Sequence, residues 1–492
     1  MAVGVVIQRT AVAGPPYPEP RPSAQSFFAG LAERGPAVDV VRIASLNAFE
    51  ATYGQRPAYG NLYDAIATYF GEGGGSAIIA RVVGGDATEG SLSTPLPDRH
   101  AETPAPTLQV TAQGPGEWSA DLSVSIADGT VPNTFTLVVL YGGLEVERYA
   151  NLTDPQAAVA RTSGSGWVRL SDLASETTAP SNNPAVTVAP VSLSAGTDDR
   201  GEVDAAALVA ALARFGAQYG DGAVCIPGGG DSTHAGLIAH AQGHNRVAIL
   251  ATAQGSTPSQ LATLADSLSG VGAEHAGLFG PWVNIRDAYG GLLTVPPEGY
   301  VCAARARGHR EVGPWQAPSG ERSRSNTVVS PDQVFDTLTG GNLEAAKVNP
   351  ILLAPSSGVR LYGWRSLSAD TENWALLTGI ETINRIVVAA YAELDPLVFS
   401  AIDSKGHLLG QVEGALQGIV APMAALGGLY AWTEISASGQ STPVDPGWRI
   451  TVDASREVAS GNRVVATLAV RVSPTAVLIE LTVSKVGITR RF

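Results

Sequence analysis

The sequence predicts a multidomain α+β protein: an α/β core domain, an all-β domain inserted into it, and a further α+β domain reached by extended, strand-forming chain ends. Three observations predict it. Strand-like and helix-like runs alternate over 23–90 and again over 200–300, the order of a sheet covered by helices. Between them, over 91–194, Pro, Thr and Ser are dense and short β-rich runs recur between turns, which suggests a small antiparallel sandwich or barrel. From 346 to 492 two amphipathic helices precede a pair of strands. At 492 residues the chain also exceeds the roughly 250–300 residues at which a single core stops growing.

Val3, Val5 and Ile7 alternate on one strand face, and five prolines between Pro15 and Pro22 then keep the chain extended. Residues 1–22 are therefore an arm that cannot fold alone, with a reach of roughly 65 Å at about 3.3 Å per residue. Val38–Ile43 predicts a strand, Tyr59–Phe70 a helix stopped by the glycine-rich turn 71–75, and Ala77–Val83 a buried strand. The insert offers the strands LQVTA, DLSVSIA, TFTLVVLY, LEVERYA, GWVRL and AVTVAPVSL, and no helical period. Alternation resumes with a helix at Asp204–Tyr219 capped by Asp204, then strand Ala223–Ile226 and helix Ser232–Gln242. Strand Arg246–Thr252, helix Pro258–Leu268 and strands His275–Phe279 and Trp282–Ile285 follow. Residues 301–345 read as irregular. In the last domain, Val348–Pro355 and Val359–Trp364 read as strands. Asp370–Tyr391 is a helix with Trp374, Leu377, Ile380, Ile383 and Val387 on its stripe, and Leu397–Ile402 a strand. Leu408–Leu426 is a second helix, with Leu408, Val412, Leu416, Ile419 and Met423 in register. Strands Val464–Val472 and Ala476–Val486 end the chain, the latter alternating Val477, Ile479, Leu481 and Val483.

The charge balance, 31 basic against 45 acidic residues, argues against a phosphate-backbone partner. Cys225 and Cys302 cannot make a disulfide framework and read as buried thiols. MAVGVVIQRT lacks the pattern of a secretory leader. Leu408–Tyr430 is apolar enough to suggest a membrane span, but Glu413, two glutamines and its glycines argue against one. CIPGGGDST (225–233) has the strand–glycine–helix order of an anion loop without the P-loop or dinucleotide spacing, and Asp231 reads there as a helix cap. His234, His240 and His244 include a pair four apart, yet Gly243 interrupts the helix and no further ligand is near. No catalytic residue, metal ligand or cofactor is expected, and the chain reads as a non-enzyme. The alternative is an α/β enzyme that binds a phosphorylated small molecule at 227–232. Gly410, Gly414 and Gly418 form a row along the second C-terminal helix. Each costs about 0.5–1 kcal/mol against Ala, so the row implies close approach, either by another part of the domain or by a second subunit. Pro422 is expected to kink or end that helix.

Several segments, in order, resemble the tail sheath family of contractile phages, R-type bacteriocins and contractile injection systems. LYDAIATYFGEGGGSAIIARVVG (62–84) is similar to the family's helix, "F-F-x-N-G-G" turn and "A-x-x-x-R-V" strand, with Glu72 and an extra glycine in the turn. GPGEWSADLSVSI (114–126), LEVERYANLT (144–153), AGTDD (195–199) and GPWQAPSGE (313–321) resemble later segments. VNPILLAPSSGVRLYGWRSLSAD (348–370) resembles the family's "I-N-x-I-x-x-x-x-G-x-x-x-W-G-A-R-T-L". The resemblance implies a structural subunit that assembles helically around an inner tube and contracts to drive the tube through a cell envelope. It further implies these domains: a 1–22 arm that joins an inner domain, a middle α/β domain (23–90 plus 195–345), an outer all-β insert (91–194), and a tube-facing inner domain (346–492). Both chain ends would donate strands to neighbours through Val3, Val5 and Ile7 and through Val477, Ile479, Leu481 and Val483. Lys405, Gly410, Gly414 and Gly418 would face the tube or pack closely. Expected partners are further copies of the chain, the tube protein, the baseplate and the tail terminator, with no nucleic acid contact and no membrane insertion. The expected location is a virion tail assembled in a bacterial host's cytoplasm, or the bacterial cytoplasm or an extracellular particle for an injection system.

Overall fold

The computed structural model of the chain describes residues 23–477 except 288–289, 355–357, 404, 436–440, 454 and 456–460. Val3, Val5, Ile7, Ile479, Leu481 and Val483 lie outside the described residues. The fold is mixed α+β, with ten α-helices and several separate sheets among the described residues. It falls into two compact units, one made of residues up to 66, 75–229 and 242–246, the other of 67–74, 230–241 and 247 onward.

The first unit is organised by β1 (Ser26–Gly30), which lies between parallel partners. β3 (Ala77–Arg81) flanks it on one side and β12 (Ala223–Cys225) on the other, and β2 (Val41–Ile43) adds an antiparallel edge to β3. All three parallel strands are buried throughout, the pattern of a sheet covered on both faces. α1 (Leu46–Tyr53) is capped by Ser45, and α2 (Leu62–Gly71) precedes β3. β4 (Glu89–Ser91), β5 (Leu96–Pro97), β6 (Pro106–Pro115) and β10 (Val168–Asp172) form one antiparallel sheet. β7 (Leu122–Asp128), β8 (Phe135–Tyr141), β9 (Leu144–Leu152) and β11 (Val191–Ser192) form a second. Leu108, Val110 and Ala112 of β6 share a core with Val124, Leu137 and Val139, so each sheet buries one face.

Two buried arginines tie this unit together by gathering carbonyls. Arg81 donates to the backbone oxygens of Ala32, Gly35 and Pro115. Arg246 donates to those of Phe215, Gly216 and Gly220, with its guanidinium 3.9 Å from the Phe27 ring centroid. Burial pulls the Arg246 pKa down to about 10, so it remains charged at neutral pH. Two expectations fail here. The stretch 91–194 contains a helix, α3 (Pro155–Arg161), whose Asp154 cap accepts from Ala157 N at 2.7 Å. Asp204 caps as expected, but α4 covers only Ala205–Ala210 and continues as 3-10 turns on either side of Gly216.

The second unit holds α5 (His234–Gly243), β13 (Val247–Ala251), α6 (Pro258–Ser267) and β14 (Ala276–Gly280). β13, β14 and β18 (Val348–Ala354) run parallel in that order, and β19 (Gly358–Leu361) closes the edge antiparallel to β18. β15 (Val283–Arg286), β16 (Leu292–Val295) and β17 (Val328–Pro331) form a small antiparallel sheet. The stretch expected to be irregular contains α7 (Glu298–Glu311) and α8 (Thr337–Ala345). α7 is buried on nearly every side and buries Glu298, Arg305 and His309 along with its apolar residues, so its polar residues mark no solvent face and reveal no helical period. Cys302 is accordingly a buried helical thiol. Asp231 opens a 3-10 turn without forming a capping bond.

Beyond β19 come α9 (Leu377–Leu394), α10 (His407–Ala425), β20 (Trp432–Ile435), β21 (Ser441–Asp445), β22 (Trp448–Asp453) and β23 (Val465–Val470). α9 starts seven residues later than expected. Its buried face carries Leu377, Ile380, Glu381, Asn384 and Ile386, whereas Val387 is exposed. The expected strand at 397–402 is absent; a 3-10 turn over Asp395–Leu397 leads into a turn and irregular chain there. Pro422 lies inside α10, which runs on to Ala425.

Candidate assembly interface

The C-terminal module is anchored from inside by a buried ion cluster. Glu381 of α9 receives Arg305 Nε of α7 at 2.5 Å and stands 3.4 Å from His309 Nε2. Its other oxygen accepts from Trp364 Nε1 at 3.0 Å. Burial opposes the charged carboxylate, but His309 and Arg305 beside it, with bonds from His309 and Trp364, outweigh burial and hold its pKa below the usual range. Next to Trp364, Arg365 pairs with Glu344 of α8 and donates its backbone N–H to Asn349 Oδ1 at 2.5 Å. The GWRSL motif thus ties α7, α8, α9 and β18 to one another.

The glycine-rich turn after α2 is anchored in the same way. Glu72 is fully buried and accepts from the backbone N–H of Asn326 and Thr327, the Thr327 hydroxyl, Ser325 and Arg307. Burial again opposes the charge, and the Ser325 and Thr327 bonds prevail, lowering the pKa. Gly73 turns the chain at φ +84°, a conformation that favours glycine.

α10 presents two contrasting faces. Leu408, Val412 and Leu416 pack against Ile450, Val452 and Leu468, and Val420 and Met423 join a core with Ile386 and Trp448. Gly410, Gly414 and Gly418 lie on the exposed side, and a Cβ at any of them would meet nothing within 4 Å. The close approach that three helical glycines imply is therefore not made within the described chain. Lys405 is exposed just before the helix, and Asp403 accepts from the first helical N–H, His407 N, at 3.0 Å. The apolar segment Leu408–Tyr430 lies in this helix only as far as Ala425, and no described helix is long and apolar enough to cross a bilayer.

β22 and β23 form a two-stranded sheet with a regular register from Trp448↔Val470 to Asp453↔Val465. Alternate residues point to α10, so the pairs Ile450↔Leu468 and Val452↔Ala466 line one face. Among the described residues each strand pairs only with the other, which leaves both outer edges without a ladder partner. β20 and β21 form a second open pair, with Trp432 half-exposed under Arg471. Two strands alone are marginal in water, and open edges invite a further strand. Apolar side chains remain uncovered nearby, including Val387, Tyr391, Val398, Phe399, Leu426 and Tyr430. Val477, the only described member of the C-terminal strand set, is exposed and lies in no sheet. The strands β20–β22 escaped sequence analysis, although WRITVD carries the same alternation that marked other strands.

His234 is buried in α5 with Nε2 3.0 Å from the Ala251 oxygen. Among the described residues no three His, Cys, Asp or Glu side chains are placed to hold a metal ion.

No protein-family model matches the sequence, and no curated protein matches it. Solved structures do match in fold. A sheath tail protein from Desulfitobacterium hafniense superposes with a TM-score of 0.55 at 14% identity, over 95% of this chain and 100% of that one. A sheath tail protein from Listeria innocua gives 0.58 at 11% identity, over 90% and 94%. The sheath complex of an extracellular contractile injection system in its contracted state gives 0.54 at 11%, over 99% and 100%. The chain has the fold of these sheath proteins along almost its whole length.

Proposed function

We propose that this chain is the sheath subunit of a contractile tail or injection machine. The observation that carries the reading is the β22–β23 sheet, packed on α10 by one face with both edges open among the described residues, in a chain with the sheath fold. A strand from a neighbouring copy completes such a sheet by main-chain hydrogen bonds, which link subunits while letting them reorient. The alternating sets Val3, Val5, Ile7 and Val477, Ile479, Leu481, Val483 are the strands we assign to that role. A head-to-tail contact of this kind does not close on itself and builds a helical array. In the full reading, the middle domain is 23–90 with 195–345, the outer insert 91–194, and the inner domain 346–492 with the 1–22 arm. Lys405 and the Gly410–Gly414–Gly418 row face the inner tube. The sheath assembles extended, and tighter packing of subunits after a baseplate signal drives the tube through an envelope. The baseplate and the tail terminator bound the array in a virion tail or extracellular particle, after assembly in a bacterial cytoplasm. The enzyme reading at 227–232 draws no support from the structural relatives, which are sheath proteins.

Electron microscopy of the purified chain tests this directly. Striated hollow cylinders are expected; monodisperse monomers at high concentration with intact termini would refute the reading.

A further inference from the structure

We infer that Trp315 is a positioning residue for the C-terminal arm: it fixes the point from which the arm leaves the subunit, and so the register in which a neighbouring copy receives it. This role rests on the sheath reading. Trp315 belongs to GPWQAPSGE (313–321), the segment after α7.

The indole has a built seat. Its loop is closed by the N–H groups of Val312 and Gly313, which donate to the Gly308 oxygen at 3.0 and 3.2 Å, and by Gln316 N, which donates to the Gly313 oxygen at 3.2 Å. Gly313 takes φ +138°, which favours glycine, and a Cβ there would lie 2.5 Å from Trp315 Cη2. The ring packs against the cluster of Ile386, Val420, Met423 and Leu429. A Cβ on Gly428 would lie 2.5 Å from Trp315 Cδ2, so the bare backbone of Gly428 rests directly on the indole.

Gly428 is where the end of α10 meets the chain that leaves β23. Its N–H donates to the Met423 oxygen at 2.8 Å, and its oxygen accepts from Ser473 N at 3.0 Å. Tyr430 N donates to the Arg471 oxygen at 2.7 Å and Leu429 bridges Val472, so 428–430 and 471–473 form a short antiparallel ladder. Ser473 Oγ donates to the Gly427 oxygen at 2.7 Å. Pro474 follows at once, and its ring-fixed φ stiffens the chain that leads to Val477, the first of the strand set assigned to neighbours. A donated strand carries its register from where it starts, and a slip of one residue turns every side chain to the wrong face. The ring under Gly428 therefore sets the start of the arm.

Substitutions in the full chain test the role. Trp315 is only partly buried, so Trp315→Ala should keep its fold, as circular dichroism will verify. Hydrogen exchange followed by mass spectrometry should rise at 427–430 and 471–473 and stay unchanged elsewhere. Electron microscopy should find cylinders only above about ten times the wild-type concentration, a loss within the usual range for coupled neighbours. Trp315→Phe, which keeps a ring under Gly428, should restore most of the assembly. Gly428→Ala should reproduce the defect in the wild type yet add nothing to Trp315→Ala, because its Cβ then meets no ring. Cylinders from Trp315→Ala at the wild-type concentration, or additive effects of the two substitutions, would overturn the role. So would exchange that rises evenly through the subunit, which would make Trp315 a packing residue only. If the unaltered chain forms no cylinders, the sheath reading itself falls; cylinders from it and from Trp315→Ala alike sink the Trp315 role alone.

Discussion

At the level of single residues, the motifs that carried the family resemblance are internal anchors. Trp364 is buried against Glu381, Arg81 gathers carbonyls, and Glu72, the residue by which the turn departs from the family pattern, binds the 325–327 loop. Each is a buried charge or dipole whose partners are left uncompensated if it is removed. Glu381→Gln keeps the shape but leaves Arg305 without its counter-charge. It should cost about 3–5 kcal/mol in urea unfolding. Because Glu381 has a lowered pKa in the folded state, its contribution is complete above its ordinary value of 4.5 and is lost as pH falls through the folded value. The wild type should therefore lose stability below about pH 4.5 more steeply than Glu381→Gln. Glu72→Ala should likewise cost about 2–4 kcal/mol, and limited proteolysis should then cut first near 325–327.

At the level of elements, α10 has one packed face and one uncovered face. Its apolar stripe packs on β22 and β23, while the glycine row faces open space. Gly414→Ala should stabilise the isolated subunit by about 0.5–1 kcal/mol, because exposed helical glycine has no packing to lose. Gly414→Trp should leave the subunit folded and block or distort cylinders in electron micrographs. Normal cylinders from that variant would show that nothing approaches the row closely. The elements that sequence analysis missed share a physical cause. α7 is buried on nearly all sides and so shows no amphipathic period, and α9 starts late because residues 374–377 bond back to 364–366, through the Arg365↔Leu376 bridge and the Ser366 N–H to the Ala375 oxygen. α3 did announce itself, through Asp154-Pro155 in cap and first-turn positions, but its β-rich surroundings concealed it.

For the whole molecule, the proposed assembly assigns both chain ends to neighbouring copies. Deleting residues 1–14 should leave a cooperative, folded subunit by calorimetry and circular dichroism but no cylinders. An unfolded truncation would make the arm part of the subunit's own core. Mixing the truncated and full-length chains should shorten cylinders in proportion to the truncated fraction, since each truncated copy breaks a head-to-tail link.

The sequence by itself determined the α+β alternation, the β-rich insert, the apolar stripe of α10 and the absence of a recognisable catalytic motif. These depend on local periodicity and turn chemistry, which the order of residues carries directly. Tertiary structure decided that Glu72 and Glu381 are buried hubs, that α7 is a helix, that the glycine row is uncovered, and that Gly428 rests on Trp315. Each of those depends on residues tens to hundreds of positions apart meeting in space, and burial of a charge can be judged only once its partners are in place.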